Sequence, residues 1–328
     1  MSEQPHRAGR IELVGSPASA WTRLRPLLGS AAPAAIAFLV GVSMTVQTMV
    51  NSRLSHGLGS AIYAGVVNNA LGLLLLVTAA SVVGVPRRIA RQVRQGWKPS
   101  WWQAVAGANG GLYIAGAAYA APRIGLAMVT VAMVVGLLAG GIIVDRVGFG
   151  PTGRQPVTAG RALGVVLALT ATVLGARSAA AGHLRLDILL FIAALGLVTA
   201  AQLAAMGRVS AATGEPLVAG ALNLQAGLAL LVAIALLTHG ATPPRGWSAP
   251  PFDWIGGLFA VFGSLGVVAA VRRIGVLRLM LGLVAGQTLG ALALDVVAPL
   301  ARVPVTGFTL VSVALTIAAV YVSGLRRA

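Results

Sequence analysis

Hydrophobic positions in this chain run together in long blocks, neither alternating nor forming narrow stripes. Ten blocks of mostly apolar residues stand out, at 31–52, 60–84, 101–121, 125–144, 159–177, 187–208, 215–238, 252–271, 275–296 and 305–325. A block of about 20 such residues crosses a ~30 Å hydrocarbon core as an α-helix. Strands of a membrane barrel would be about half as long and would alternate apolar with polar. The pattern therefore predicts an all-α polytopic membrane protein with ten transmembrane helices. Polar residues inside the blocks are few and need a reason, because burying an amide without a partner costs roughly 2–7 kcal/mol. Gln47 and Asn51, in the stretch QTMVN, pose that question first. Four residues apart, they share one helix face.

The blocks also repeat. Shifted by 155 positions, residues 41–72 fall on residues 196–227 with matches at Gly41/Gly196, Gln47/Gln202, Arg53/Arg208, Ser55/Ser210, Gly59/Gly214, Ala64/Ala219, Gly65/Gly220, Asn68/Asn223 and Gly72/Gly227. At a shift of 150, PRIG (122–125) meets RRIG (272–275), and Gly136, Gly140 and Asp145 meet Gly286, Gly290 and Asp295. Polar and glycine positions match more often than apolar ones, which composition alone would not produce. The chain reads as two copies of a five-helix unit, at 31–178 and 186–326, behind a disordered cytoplasmic tail at 1–30. Five is odd, so the second copy enters the membrane inverted. The first apolar block exceeds the usual 7–15 residues of a leader's core and is read as a retained helix.

Composition fits this reading: 57% of residues are hydrophobic and 9% charged, against about 25% charged in soluble domains. A net charge of +17 would suggest nucleic acid in a soluble chain, but its distribution decides otherwise. With the N-terminus placed in the cytoplasm, eighteen of the 24 Lys and Arg fall in cytoplasmic segments and six outside. Basic loops resist translocation, so both termini are expected in the cytoplasm and nucleic-acid binding is not. Equivalent loops of the two copies differ in charge as opposite sidedness requires: five basic residues follow the second block and one follows the seventh.

Inverted repeats of helices are a hallmark of transporters, in which two related halves open a central site to one side and then the other. The residues also carry a resemblance. GVSMTVQTMVNSRLSHGLGSAIYAGVVNNALG and GGLYIAGAAYAAPRIGLAMVTVAMVVGLLAGGIIVD resemble the YdcZ-type branch of the drug/metabolite transporter superfamily. The matching positions are Gly41, Gln47, Asn51, Leu54, Gly59, Arg123, Gly125, Gly136 and Asp145 in the first half, and Gln202, Gly214, Gly275, Gly286, Gln287 and Asp295 in the second. Two positions depart from the pattern: Leu137 stands where Gln is favoured, and Met206 where the first copy has Asn51. The resemblance implies a carrier of the bacterial cytoplasmic membrane that exports a small organic solute and does not name the solute.

Candidate cavity residues follow from depth along the helices. Asn68, Asn69 and Asn223 lie about 13 Å into their helices, near the midplane where inverted-repeat carriers hold substrate. Asn109 and Tyr113 share that depth, and Gln47, Asn51, Gln202 and Gln287 complete the set. The competing reading is that these amides tie helices together, as they commonly do in membrane bundles. The Gly pairs of GANGG, GLLAG, GLVAG and GQTLG allow close helix packing. Asp145 and Asp295 close a predicted helix in both copies; they are candidates for proton coupling, with a helix-end cap as the simpler account. Cys is absent and the four His show no ligand spacing, so no metal or cofactor is expected. Nor is there a nucleophile elbow, a phosphate loop or a pair of carboxylates at one level, so enzyme chemistry has no support. Expected partners are a small-molecule substrate and the lipid bilayer. A homodimer through the nearly polar-free blocks 159–177 and 305–325 is a further expectation. The alternative to a carrier is a non-transporting membrane partner or receptor subunit.

Overall fold

The computed structural model describes residues 17–96, 98, 100–105, 107–149, 154, 158–179, 185–239, 244, 246, 248–300 and 305–324. These form α-helices with no strand among them: α1 (Pro17–Leu58), α2 (Ala61–Val82), α3 (Val85–Arg94), α4 (Trp101–Val105), α5 (Ala108–Ile124), α6 (Leu126–Val147), α7 (Ala159–Ala179), α8 (Leu186–Thr213), α9 (Pro216–His239), α10 (Gly256–Val297) and α11 (Gly307–Gly324). Five apolar stretches among the described residues are long enough to cross a membrane: Ala35–Leu58, Ala61–Val82, Leu126–Val147, Leu186–Thr213 and Pro216–Thr238. Much of their outer surface is apolar and exposed, as at Leu74, Val77, Leu190 and Leu236. Such a surface suits lipid contact.

The elements depart from the expected blocks in four places. Helix α1 begins at Pro17, inside the segment expected to be a tail; residues 1–16 lie outside the described residues. The block 101–121 is divided into α4 and α5, and Gly107, just before α5, sits with its backbone against that of Asn223 with no room for a side chain. The basic run after α2 forms a helix of its own, α3, entered through Gly84 at φ 76°, a backbone conformation glycine adopts without steric cost. The fourth departure is α10, a single element of 42 residues where two helices, 252–271 and 275–296, were expected.

Its contacts show that α10 is not straight. Gly256 lies against Asn51 and Gly266 against Val40, so the first limb runs down α1 from residue 51 towards 40. Gly286 lies against Phe38 and Gly290 against Val42, so the second limb runs back up the same helix. A straight helix would separate Gly266 from Gly286 by about 30 Å. The chain therefore reverses between the two limbs. Within α10 the side chains other than those of 264 and 268–281 are described, which leaves Gly275 and the RRIG match outside the described side chains.

The two repeats exchange partners. Helix α1 of the first half packs on the second limb of α10, and α8 of the second half packs on α6 of the first. The closest approaches are equivalent. A methyl on Gly41 would overlap the backbone of Leu283 to Gln287, and one on Gly196 would overlap that of Met133 to Leu137. Their counterparts Gly286 and Gly136 are as tightly placed, against Phe38 and Ala193. Small residues let membrane helices approach to backbone contact, where dispersion and weak polar contacts replace the missing hydrophobic drive. The central crossing is between α2 and α9: Gly72 meets Leu224, and Gly227 meets Asn69, which are the same two positions under the 155-residue shift.

Helix ends gather into two sets. At one end Arg88 of α3 pairs with Glu215, Gln92 donates to the Thr213 carbonyl at 2.8 Å, and Arg208 stacks over Trp102 and Phe149. At the other, Gly57 lies against Ala249 and Asp295 meets the start of α6. Helices α7 and α11 pack on each other at the edge, joined by the Ser312 hydroxyl donating to the Ala171 carbonyl at 2.7 Å. Each turns an apolar face outward, with Val166 and Val173 on α7 and Phe308 and Val311 on α11.

Candidate functional site

A narrow cleft opens where α1, α5 and the second limb of α10 meet. It is lined by Met44, Gln47, Thr48, Asn51, Tyr113, Ile114 and Gln287. Four of these were expected from the sequence. Met44, Thr48 and Ile114 were not, although Met44, Thr48 and Asn51 are spaced by about one helical turn. That spacing marks a single face of α1. The position of α10 against α1 is held by the Thr45 hydroxyl, which donates across to the Gln287 carbonyl at 2.9 Å. Inside the cleft the Gln287 side chain hydrogen-bonds Tyr113.

Behind this wall the amides form a small network. Gln47 Nε2 and Asn51 Nδ2 both donate to Asn68 Oδ1, at 3.0 and 3.1 Å. One carbonyl on α2 thus satisfies two amides on successive turns of α1, the i, i+4 geometry that QTMVN provides. Asn51 Oδ1 and Asn68 Nδ2 remain buried without a hydrogen-bond partner. Gly256 and Gly257 cover the cluster from α10; a Cβ at Gly256 would collide with the Asn51 amide. These glycines leave room for the amides.

The second half repeats part of this. Gln202 Nε2 donates to Asn223 Oδ1, the equivalents of Gln47 and Asn68, and Gly110 of α5 covers the pair. Beyond that pair the halves differ. Met206 stands in place of Asn51, Leu203 of Thr48 and Leu137 of Gln287, so the polar positions that line the cleft have apolar counterparts there. The two remaining amides point elsewhere. Asn109 Nδ2 donates to Thr199 Oγ1 at 2.8 Å and the Leu195 carbonyl at 3.3 Å, which fastens α5 to α8. Asn69 is buried at the α2–α9 crossing with its Nδ2 unpaired.

The carboxylates lie outside the cleft. Asp295 accepts from the backbone N–H groups of Leu126 and Ala127 at 2.9 and 2.8 Å, closing the open start of α6 from another helix. The turn it faces is made by Gly125 at φ 83°. A negative side chain at a helix N-terminus is favoured by the aligned peptide dipoles and by the unsatisfied donors there. Asp145 is at the far end of α6, where it also makes an interaction. Among the described residues no group of three or more His, Asp or Glu is placed to hold a metal.

No curated protein matches the chain. A family profile matches it twice, over residues 32–174 and 188–322, two stretches that exchange helices through the α1–α10 and α8–α6 contacts. The chain is a multi-pass membrane protein and belongs to the family described as "Putative inner membrane exporter, YdcZ".

Proposed function

We propose that the protein exports a small organic solute by alternating access of its two halves, and that the solute binds in the cleft between α1, α5 and α10. In this reading the chain crosses the membrane ten times, counting each limb of α10 once, with both termini in the cytoplasm. The observation that carries it is the exchange of α1 and α8 between halves through equivalent glycine contacts, Gly41–Gly286 and Gly196–Gly136. Two packings of this kind can trade conformations about a fixed centre. The orientation follows the basic residues. It places the Arg88–Glu215 end in the cytoplasm and the Asp295 end outside, so the cleft lies in the outer half and the structure is a state closed to the cytoplasm.

Asp295 is committed to capping α6, so we assign it a structural role ahead of a coupling one. If pH-dependent transport persists when Asp145 and Asp295 are both changed to Asn, neither carries the proton.

The test uses a natural advantage: the chain has no Cys. Gln47→Cys or Thr48→Cys alone gives a labelling site without altering the background. In sealed cells, a membrane-impermeant maleimide should label Thr48→Cys from outside, and solute efflux from proteoliposomes should protect or expose it. Labelling solely from the cytoplasmic face would reverse the orientation. An absence of solute flux across a broad panel would favour a non-transporting membrane partner.

A further inference from the structure

Resting on the transporter reading, we infer that the cleft selects an uncharged solute bearing hydroxyl or amide groups, and rejects cations and anions of the same size. No charged residue lines the cleft. Its polar groups are three primary amides, Gln47, Asn51 and Gln287, and two hydroxyls, Thr48 and Tyr113, each able both to donate and to accept. Part of that capacity is already used. The Thr48 hydroxyl donates to the Met44 carbonyl at 3.1 Å, and Gln47 spends one proton on Asn68. What remains is a mixture of lone pairs and amide protons, which matches groups that are themselves both donor and acceptor. An ion brought here would leave water with no counter-charge to meet it, and unpaired charges are the costliest groups to bury. Met44, Ile114 and the Tyr113 ring supply apolar wall, so one face of the solute is apolar.

The repeat identifies the residues that set this selectivity. Where the first half presents Asn51 and borrows Gln287, the second presents Met206 and Leu137 at the equivalent positions. The scaffold accepts apolar side chains there and still folds. Gln287 and Thr48 are thus specificity residues, and Asn51 positions Gln47 through their shared acceptor on Asn68.

The experiment measures efflux of radiolabelled solutes from liposomes containing the full chain. Matched pairs serve as probes: lactamide against lactate, malonamide against malonate, and erythritol against choline. The expected result is saturable efflux of at least one uncharged probe, tenfold or more above protein-free liposomes, with its charged match at background. An imposed diffusion potential should leave that efflux unchanged. Gln287→Leu and Thr48→Leu, which copy the second half, should each lower it tenfold or more while the purified protein keeps its melting temperature within a few degrees. If charged probes move and their uncharged matches do not, or if the potential drives the flux, the inference is overturned and the transporter reading stands. If no probe moves, both fall. If uncharged flux survives both substitutions, the cleft is not the site and the inference fails.

Discussion

The two halves of this protein share a backbone plan and differ in chemistry. In the first, Gln47 and Asn51 converge on Asn68 beside a polar cleft; in the second, Gln202 donates to Asn223, and Met206, Leu203 and Leu137 stand at the positions equivalent to Asn51, Thr48 and Gln287. The glycine contacts that bring α1 to α10 and α8 to α6 are the same in both. The symmetry belongs to the helix packing, which needs matched interfaces in both halves, whereas the polar groups of the amide network and cleft are gathered on one side only.

Several changes would break or sharpen this contrast. The largest effect is expected at the shared frame. Gly41→Leu and Gly196→Leu each force a side chain into backbone, and overpacking of this kind costs about 3 kcal/mol or more. Thermal unfolding in detergent should show similar losses for the two, and a clearly unequal pair would deny the equivalence of the interfaces. Next comes Asp295→Ala, which uncaps α6 and should cost about 1–2 kcal/mol. Asp295→Asn should recover part of this in the same melt, since an amide oxygen still accepts.

Smaller still is the difference between Asn68→Ala and Asn223→Ala. Interhelical hydrogen bonds in membranes average about 0.6 kcal/mol. Asn68 accepts two and Asn223 one from the glutamine and asparagine side chains of its own half, so Asn68→Ala should lose about twice as much. Equal losses would show that the first-half network adds nothing to stability. At the bottom of the scale stands Arg88→Ala. Its pair with Glu215 joins the halves at an exposed end and holds the guanidinium pKa above its ordinary value through the hydrogen bond to that carboxylate. No change in melting temperature is expected, because exposed ion pairs contribute little. On the proposed mechanism a faster opening at that end is, and efflux kinetics from proteoliposomes would read it.

Much of the fold could be read from the residues, and the reason differs by feature. Spans such as 60–84 and 187–208 declare themselves because backbone buried in lipid must be helical, and they correspond to α2 and α8. The repeat was legible because close packing tolerates only glycine at Gly41, Gly136, Gly196 and Gly286. Within the candidate site, Gln47, Asn51, Tyr113 and Gln287 were named by depth and face, and they do come together. Asn69 and Asn109 were named by the same argument and lie elsewhere, because depth alone does not say which neighbour a helix face meets.

Residue pattern alone shows that the chain lives in a membrane, that its two parts are related, and which polar residues must find partners. Periodicity, length and identity along one chain are enough for these, since each depends on local burial. Only the tertiary structure decided which partners those are: that α1 leaves its own half to lie along α10, that Asp295 closes a helix more than 160 residues earlier in the chain, and that one of two similar amide clusters opens onto a cleft. Those outcomes depend on contacts between distant segments, where a single side chain such as Leu137 or Gln287 decides whether the groups facing one another between helices are apolar or polar.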